Sequence, residues 1–401
     1  MLAGRISYCT YNLNLNSTEK RECLLYAGRL VRLGSFLAPD AHPSSLLMGI
    51  MYIVRAISYP IAHNHVRPPK MEAQVSSVCP VCAAINQGPS LARYTVEQAA
   101  AHFCTKTRDP ARNARLHNCI AHLWKLGESQ FRRCDRCGFG YCDPFVGGDE
   151  EFYAILHEQP GYPSWRWEYD LALTEASEIV SDQSSPAAID IGAGDGAFLQ
   201  KLPAQWERFA VEASSKTRAF LSNKGIVVCR NLADVVSAHP ARFHLLTMFQ
   251  VLEHLADFAD TLAMCRRIIH PRGTFVISVP DCDAMIAQEK ATGMPDMPPS
   301  HINKWTPRSL AIALGQASFA VDRTVPEKAS LATLKGAIYQ RVVANAANPH
   351  SMGAQIYRIP SRRARASLLP LMAIPAALML IKHWRYLLRG GSFAVVAHPI
   401  N

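Results

Sequence analysis

Acidic residues are missing from the last part of the chain: residues 328–401 hold ten Lys or Arg and no Asp or Glu. The net charge of +10 is confined there, because 42 Lys and Arg less those ten leaves 32, which balance the 32 Asp and Glu found upstream. Such a segment suits an anionic partner, with a solvated basic face as the plainer alternative. Long apolar runs are scarce as well. Leu46 to Val54 stops at Arg55, and Ala366–Ile381 is broken by Pro370 and Pro375, whereas a spanning helix needs about 20 apolar residues. The second run is expected to be a packed helical insertion. The alternative is peripheral contact with a membrane surface, helped by Lys382, Trp384 and Arg385. No secretory leader is expected, since the first residues lack a basic start followed by a long apolar core. A cytoplasmic setting follows, in which the twelve cysteines read as metal ligands and free thiols and not as a disulfide framework. Interleaved aromatic and basic residues of the kind that grip single-stranded nucleic acid are also absent, so no nucleic-acid partner is expected.

What is present is globular: 401 residues, 49% hydrophobic and 18% charged, enough for two domains of ordinary size. Residues 1–70 have no sustained periodicity and stand as an extension of uncertain structure. Two C-x-x-C knuckles, Cys79-Pro-Val-Cys82 and Cys134-Asp-Arg-Cys137, each present two thiolates, and four sulfurs suit one tetrahedral Zn²⁺ in a closed structural site. This predicts a zinc-binding, ribbon-like region over 71–145. The stretch between the knuckles exceeds a compact ribbon and is expected to fold as an insertion, with Cys104, Cys119, His102, His117 and His122 as competing ligands. Residues 146–183 form a lead-in rich in aromatics, with a helix from Leu171 to Val180 expected to cover one edge of the sheet.

The chain is organised around Ala187–Phe198, where an apolar run meets a glycine-rich turn and a helix-like restart. Glycines at 192, 194 and 196 permit positive φ and close approach of a ligand. Gly192, Gly194 and Ala197, with Glu212 twenty residues after the first glycine, also fit a dinucleotide fingerprint. Asp190 and Asp195 argue against a pyrophosphate there and for a cationic ligand. Strands at 208–212, 226–229, 243–249 and 274–280 alternate with helix-length segments at 215–222 and 260–269, implying a parallel sheet. A further strand follows at 319–325, and the last is at 392–397. Thr306 caps a helix over 307–316 with Pro307 at its first position.

Asp190-Ile-Gly192-Ala-Gly194-Asp195-Gly196 resembles the first motif of class I SAM-dependent methyltransferases, D-x-G-x-G-x-G. The resemblance implies an α/β fold with a Rossmann-like seven-stranded sheet over 184–401, helices on both faces, a helical insertion at about 328–388, and a last strand returning antiparallel between the fifth and sixth. It implies S-adenosyl-L-methionine held by Asp190, Gly192, Gly194, Asp195 and Gly196, by Glu212 on the ribose, by Asn231 and Leu232 along the adenine, and by Phe249 and Gln250. The adjacent Glu253 and His254 are similar to the pair in zinc-containing sugar C-methyltransferases and quinone-type O-methyltransferases, and His301-Ile-Asn-Lys-Trp-Thr resembles an acceptor-lining stretch. In such enzymes a tyrosine ahead of the first motif reaches the active site, which here points to Tyr153 and Tyr162. Pro271-Arg272-Gly273 departs from the usual Pro-Gly-Gly turn. The reading is methyl transfer to a carbon or oxygen of a small, anionic acceptor, a nucleotide-linked sugar or lipid-linked glycan precursor. His254 is the expected base, since an unperturbed histidine is largely neutral near pH 7. Glu253 is expected to orient it, with His301 as competitor. Two other readings stand beside it: a zinc-ribbon RNA methyltransferase, and a SAM-fold binding protein without catalysis.

Overall fold

The structure, a computed structural model, describes residues 77–400 except 87, 107, 159–164 and 181–184; between 347 and 388 it describes only Ile356, Ile359, Met372, Ala373, Ala376–Leu378 and Leu380. The extension 1–70, Tyr162, most of the apolar insertion with its basic residues, and Lys382–Arg385 therefore lie outside the described residues.

Five apolar segments supply the parallel core of the main sheet: β6 (Ala187–Ile191), β7 (Glu207–Val211), β8 (Val227–Cys229), β9 (Phe243–Phe249) and β10 (Ile269–Pro280). Two more, β12 (Phe319–Lys328) and β13 (Arg389–Pro399), complete the order β12-β13-β10-β9-β6-β7-β8. As expected, β13 runs antiparallel to both its neighbours and sits between β10 and β12. The side-chain period of two divides these strands between two cores. Ile189, Leu246, Met248 and Ile277 pack on one face with Val235, Leu262 and Leu310, while Ala188, Leu245, Phe249 and Val276 pack on the other with Tyr169, Ala172 and Leu221. Helices thus cover both faces.

Two local expectations are corrected. The helix-like restart after the glycine turn is only a 3-10 turn, Leu199–Lys201. The chain becomes extended at Leu202, where the following Pro203 disfavours helical backbone. The lead-in helix begins earlier than expected, at Trp167, and runs to Val180. Its buried residues Tyr169, Ala172 and Ala176 seat it against the central strands β9 and β10 and not along an edge.

The knuckle-bearing region forms a second sheet. Its strands are β3 (Ala92–Thr95), β4 (Glu128–Arg133) and β5 (Gly140–Asp143), joined by β11 (Asn303–Lys304) from far along the chain, in the order β11-β5-β4-β3. Helices at Val96–Phe103 and Pro110–Leu123 fill the interval between β3 and β4. Each has a side-chain cap, Thr95 and Asp109 respectively. The shared strand β11 is what places His301 and Asn303 against the loop that follows β9. Among the described residues no helix is long and apolar enough to cross a membrane.

Candidate active site and cysteine centre

Gly192, Gly194 and Gly196 all adopt left-handed backbone, at φ of 75°, 53° and 72°. The turn folds back on the next strand: the Gly192 N–H donates to the Val211 carbonyl at 2.9 Å. Glu212, just past β7, ties the turn from the other side. Its Oε2 accepts from the Gly194 N–H at 3.1 Å, and its Oε1 accepts from Ser214 N–H at 2.9 Å. Both oxygens keep lone pairs for further donors. Asp195 caps the turn by accepting from Ala197 N–H at 3.1 Å. Asp190 is buried at the end of β6, accepts from Thr247 Oγ1 at 2.8 Å, and has its pKa pushed up to about 7, chiefly by desolvation.

Asn231 caps the helix Leu232–Ala238 by accepting from Asp234 N–H, and Leu232 is buried in the same core as Val211. Phe249 packs its ring 5.1 Å from both Tyr169 and Phe198, so its side chain belongs to the core more than to a ligand surface. Gln250 has φ 56° and donates from its backbone to the Ser278 carbonyl at 3.0 Å. Sequence reasoning missed Glu168 beside it. This buried carboxylate accepts from Ser278 Oγ at 3.1 Å, lies 3.9 Å from the Arg166 guanidinium, and has its pKa raised by burial. No motif announces it, since its role depends on where the Trp167 helix lands.

The loop after β9 leans on the glycine turn, because a Cβ at Gly192 would sit 2.5 Å from Val251 Cγ2. Two residues on, Glu253 is 1% exposed and neither carboxylate oxygen has a hydrogen-bond partner. Its pKa is pushed up to about 7 by burial. His254 Nδ1 lies 2.7 Å from the Ser300 carbonyl and 3.1 Å from Tyr153 Oη. A carbonyl can only accept, so Nδ1 carries the proton and Nε2 the lone pair. Burial pulls the His254 pKa down to about 3. His301 stands with its ring 4.6 Å from that of His254, and its Nδ1 makes a bent ion-pair contact at 2.7 Å with Asp296 Oδ1. Burial lowers the His301 pKa, but the Asp296 charge outweighs it and the net shift is upward.

These groups are held from behind. The Ile302 N–H donates to the Glu253 carbonyl at 3.0 Å, and Asn303 Nδ2 donates to the Leu252 and Leu255 carbonyls at 3.0 and 2.7 Å. Lys304, 1% exposed, bridges Glu289 at 2.7 Å and Asp296 at 2.9 Å. The structure thus brings together Glu253, His254, His301 and Tyr153.

The knuckles also converge. Cys79 Sγ lies 3.6 Å from Cys137 Sγ, Cys82 Sγ lies 3.5 Å from Cys134 Sγ, and the four sulfurs lie within 4.8 Å of one another. Zn–S bonds of about 2.3 Å in a tetrahedron need sulfurs roughly 3.8 Å apart, so the donor set fits zinc. The competing residues do not join this cluster: Cys104 bonds toward the Thr105 carbonyl, and Cys119 toward Asp149. Thr306 Oγ1 donates to the Cys137 carbonyl at 3.2 Å, which links the centre to the His301 segment.

Residues 166–324 match the family model described as a methyltransferase domain. That stretch is a methyltransferase domain. Similar solved structures include a SAM-dependent methyltransferase from Archaeoglobus fulgidus, 16% identical, covering 62% of this chain and 99% of that one at a TM-score of 0.37. Another is phosphoethanolamine N-methyltransferase 2 from Haemonchus contortus, 12% identical, covering 59% and 53% at 0.36. Likeness at this level reaches neither acceptor nor mechanism. No curated protein sequence matches the chain.

Proposed function

We propose that this methyltransferase moves the methyl group of S-adenosyl-L-methionine to a carbon or oxygen of a small acceptor, with a nucleotide-linked sugar or lipid-linked glycan precursor as the class that best suits a basic C-terminal segment. The observation that carries the reading is the clamp of Glu212 on the Gly194 amide, beside a loop whose Val251 overlies Gly192 and whose Glu253 and His254 face His301. This arrangement supports a donor site beside the acceptor chemistry, which is the main requirement of an in-line displacement.

The proton lost by the acceptor falls to this cluster. A base works best with a pKa near the operating pH, and by that measure Glu253, raised to about 7, is better matched than His254, lowered to about 3. The environments therefore favour Glu253 as proton acceptor, with His254 and Tyr153 positioning the acceptor. Cys79, Cys82, Cys134 and Cys137 would hold a structural Zn²⁺, since four thiolates leave no open position for substrate. No nucleic-acid partner is proposed. The basic segment is proposed to meet the acceptor's anionic part or a membrane surface, so acceptor affinity that is indifferent to ionic strength would remove that part of the reading.

The test is calorimetric titration with S-adenosyl-L-methionine and with NADH. Wild type should bind the first and not the second, and Glu212→Ala should weaken the binding at least about tenfold, one lost charge-assisted hydrogen bond being worth roughly 1.5–3 kcal/mol. Tight NADH binding without the methyl donor would instead make the fold a dehydrogenase.

A further inference from the structure

Glu253 poses an electrostatic problem that the protein alone meets only by favouring the protonated carboxyl. Its carboxylate is buried without a single hydrogen-bond donor, a state that costs several kcal/mol unless a positive charge meets it. The neighbouring cations are shared with other acids, although the charge of His301 also acts on Glu253. Lys304 is shared between Glu289 and Asp296, and the charge of His301 faces Asp296 at 2.7 Å. His254 donates through Nδ1 to a carbonyl and leaves Nε2 bare.

The same arrangement is what metal-binding histidines show. Their second nitrogen is fixed by a backbone carbonyl or a carboxylate, which sets the tautomer and aims the lone pair. Here the Ser300 carbonyl fixes His254 and the Asp296 carboxylate faces His301. One ligand atom each from Glu253, His254 and His301 lies within 4.8 Å of the others. Bonds of about 2.0–2.2 Å require separations nearer 3.3 Å, so side-chain rotations of roughly 1 Å would close the set.

We propose that Glu253, His254 and His301 form a second metal site, distinct from the four cysteines, for a divalent cation that accepts imidazole and carboxylate together, such as zinc, manganese or iron(II). Two histidines and one carboxylate leave coordination positions open, and an oxygen of the methyl acceptor is the ligand that fills one. The cation would replace the proton on Glu253, so Glu253 accepts the acceptor's proton, as proposed above, only while this site is metal-free. This inference rests on the proposed methyl transfer only for the identity of that last ligand.

The probe is Co²⁺ added to protein whose cysteine centre is already loaded with zinc. Binding at the new site should produce weak visible d–d bands without the intense near-ultraviolet thiolate charge transfer, and elemental analysis should rise from about one metal per chain to about two. Glu253→Gln and His301→Ala should each abolish the second metal and keep the first, while Cys79→Ser should do the reverse. Asp296→Asn, which is not one of the three proposed ligands, should weaken Co²⁺ binding about 10–100-fold, as loss of an outer partner does. Should the buried-site variants fail to fold, the Co²⁺ titration of wild type decides alone. No visible bands and one metal per chain overturn the proposal, and so does Co²⁺ binding that survives in a folded Glu253→Gln protein. S-adenosyl-L-methionine binding is measured in parallel: retained donor binding without a second metal sinks only this inference. A second metal without donor binding sinks the methyl-transfer reading and leaves the metal site standing.

Discussion

Replacing Gly192 by alanine tests the turn and its contact with the acceptor loop together. Gly192 holds φ 75°, and an added Cβ would lie 2.5 Å from Val251 Cγ2 and 3.4 Å from Cγ1. Two costs add. Left-handed backbone costs an alanine about 1–2 kcal/mol, and an extra methyl in a packed site costs about 1–3 kcal/mol. Their sum, about 2–5 kcal/mol, is a large share of a folding stability of roughly 5–15 kcal/mol. Val251 is β-branched and has little rotamer freedom with which to yield, so the steric part is expected to push the loop that carries Glu253. Denaturant unfolding should show the full loss, and a donor titration should show affinity reduced by roughly 5–150-fold if the steric part alone is transmitted. Gly192→Ala with Val251→Ala removes the clash and keeps the backbone cost, so the double variant should recover about 1–3 kcal/mol through coupling of the two sites. A single variant within about 0.5 kcal/mol of wild type, with unchanged donor affinity, would refute the geometry.

Because burial raises Asp190 to about 7, its carboxyl is neutral below that pH and anionic above it. Affinity for the cationic methyl donor should therefore increase as pH rises through about 7, and Asp190→Asn should flatten the profile; a slope that survives in Asp190→Asn excludes this residue as its source. Lys304→Met removes the buried cation shared by the partly buried Glu289 and Asp296 and should destabilise the protein by about 1–3 kcal/mol, whereas unfolding at the wild-type denaturant concentration would show the trio to be inert. Glu253→Gln should lower single-turnover methyl transfer about 10²–10⁴-fold and by more than His254→Asn does. The opposite ranking would return the proton to His254.

The elements that local signals could locate are those whose ends are written in adjacent residues. The strand Phe243–Phe249 and the helix Pro307–Gln316 occur with the expected bounds, the latter because Thr306 and Pro307 mark its start at a single position. The helix Glu150–Leu156, capped by Asp149, escaped notice since aromatic density in that stretch masked a seven-residue segment with little periodicity of its own. Other features have no local signal at all. Pairing of Asn303–Lys304 with Gly140–Tyr141 joins segments far apart in sequence, yet it fixes His301 and Asn303 against the Leu252–Leu255 turn. The spacing of Glu253 and His254 named them as a pair, but their division of labour depends on burial and on which donors each side chain finds. Glu253 finds none, and His254 spends its only N–H on a carbonyl. Ordinary aqueous pKa values make the histidine the base. The observed surroundings invert the order of the two pKa values, the ground on which Glu253 is proposed as the base, because desolvation favours the neutral form of each group and so acts in opposite directions on an acid and on an imidazole.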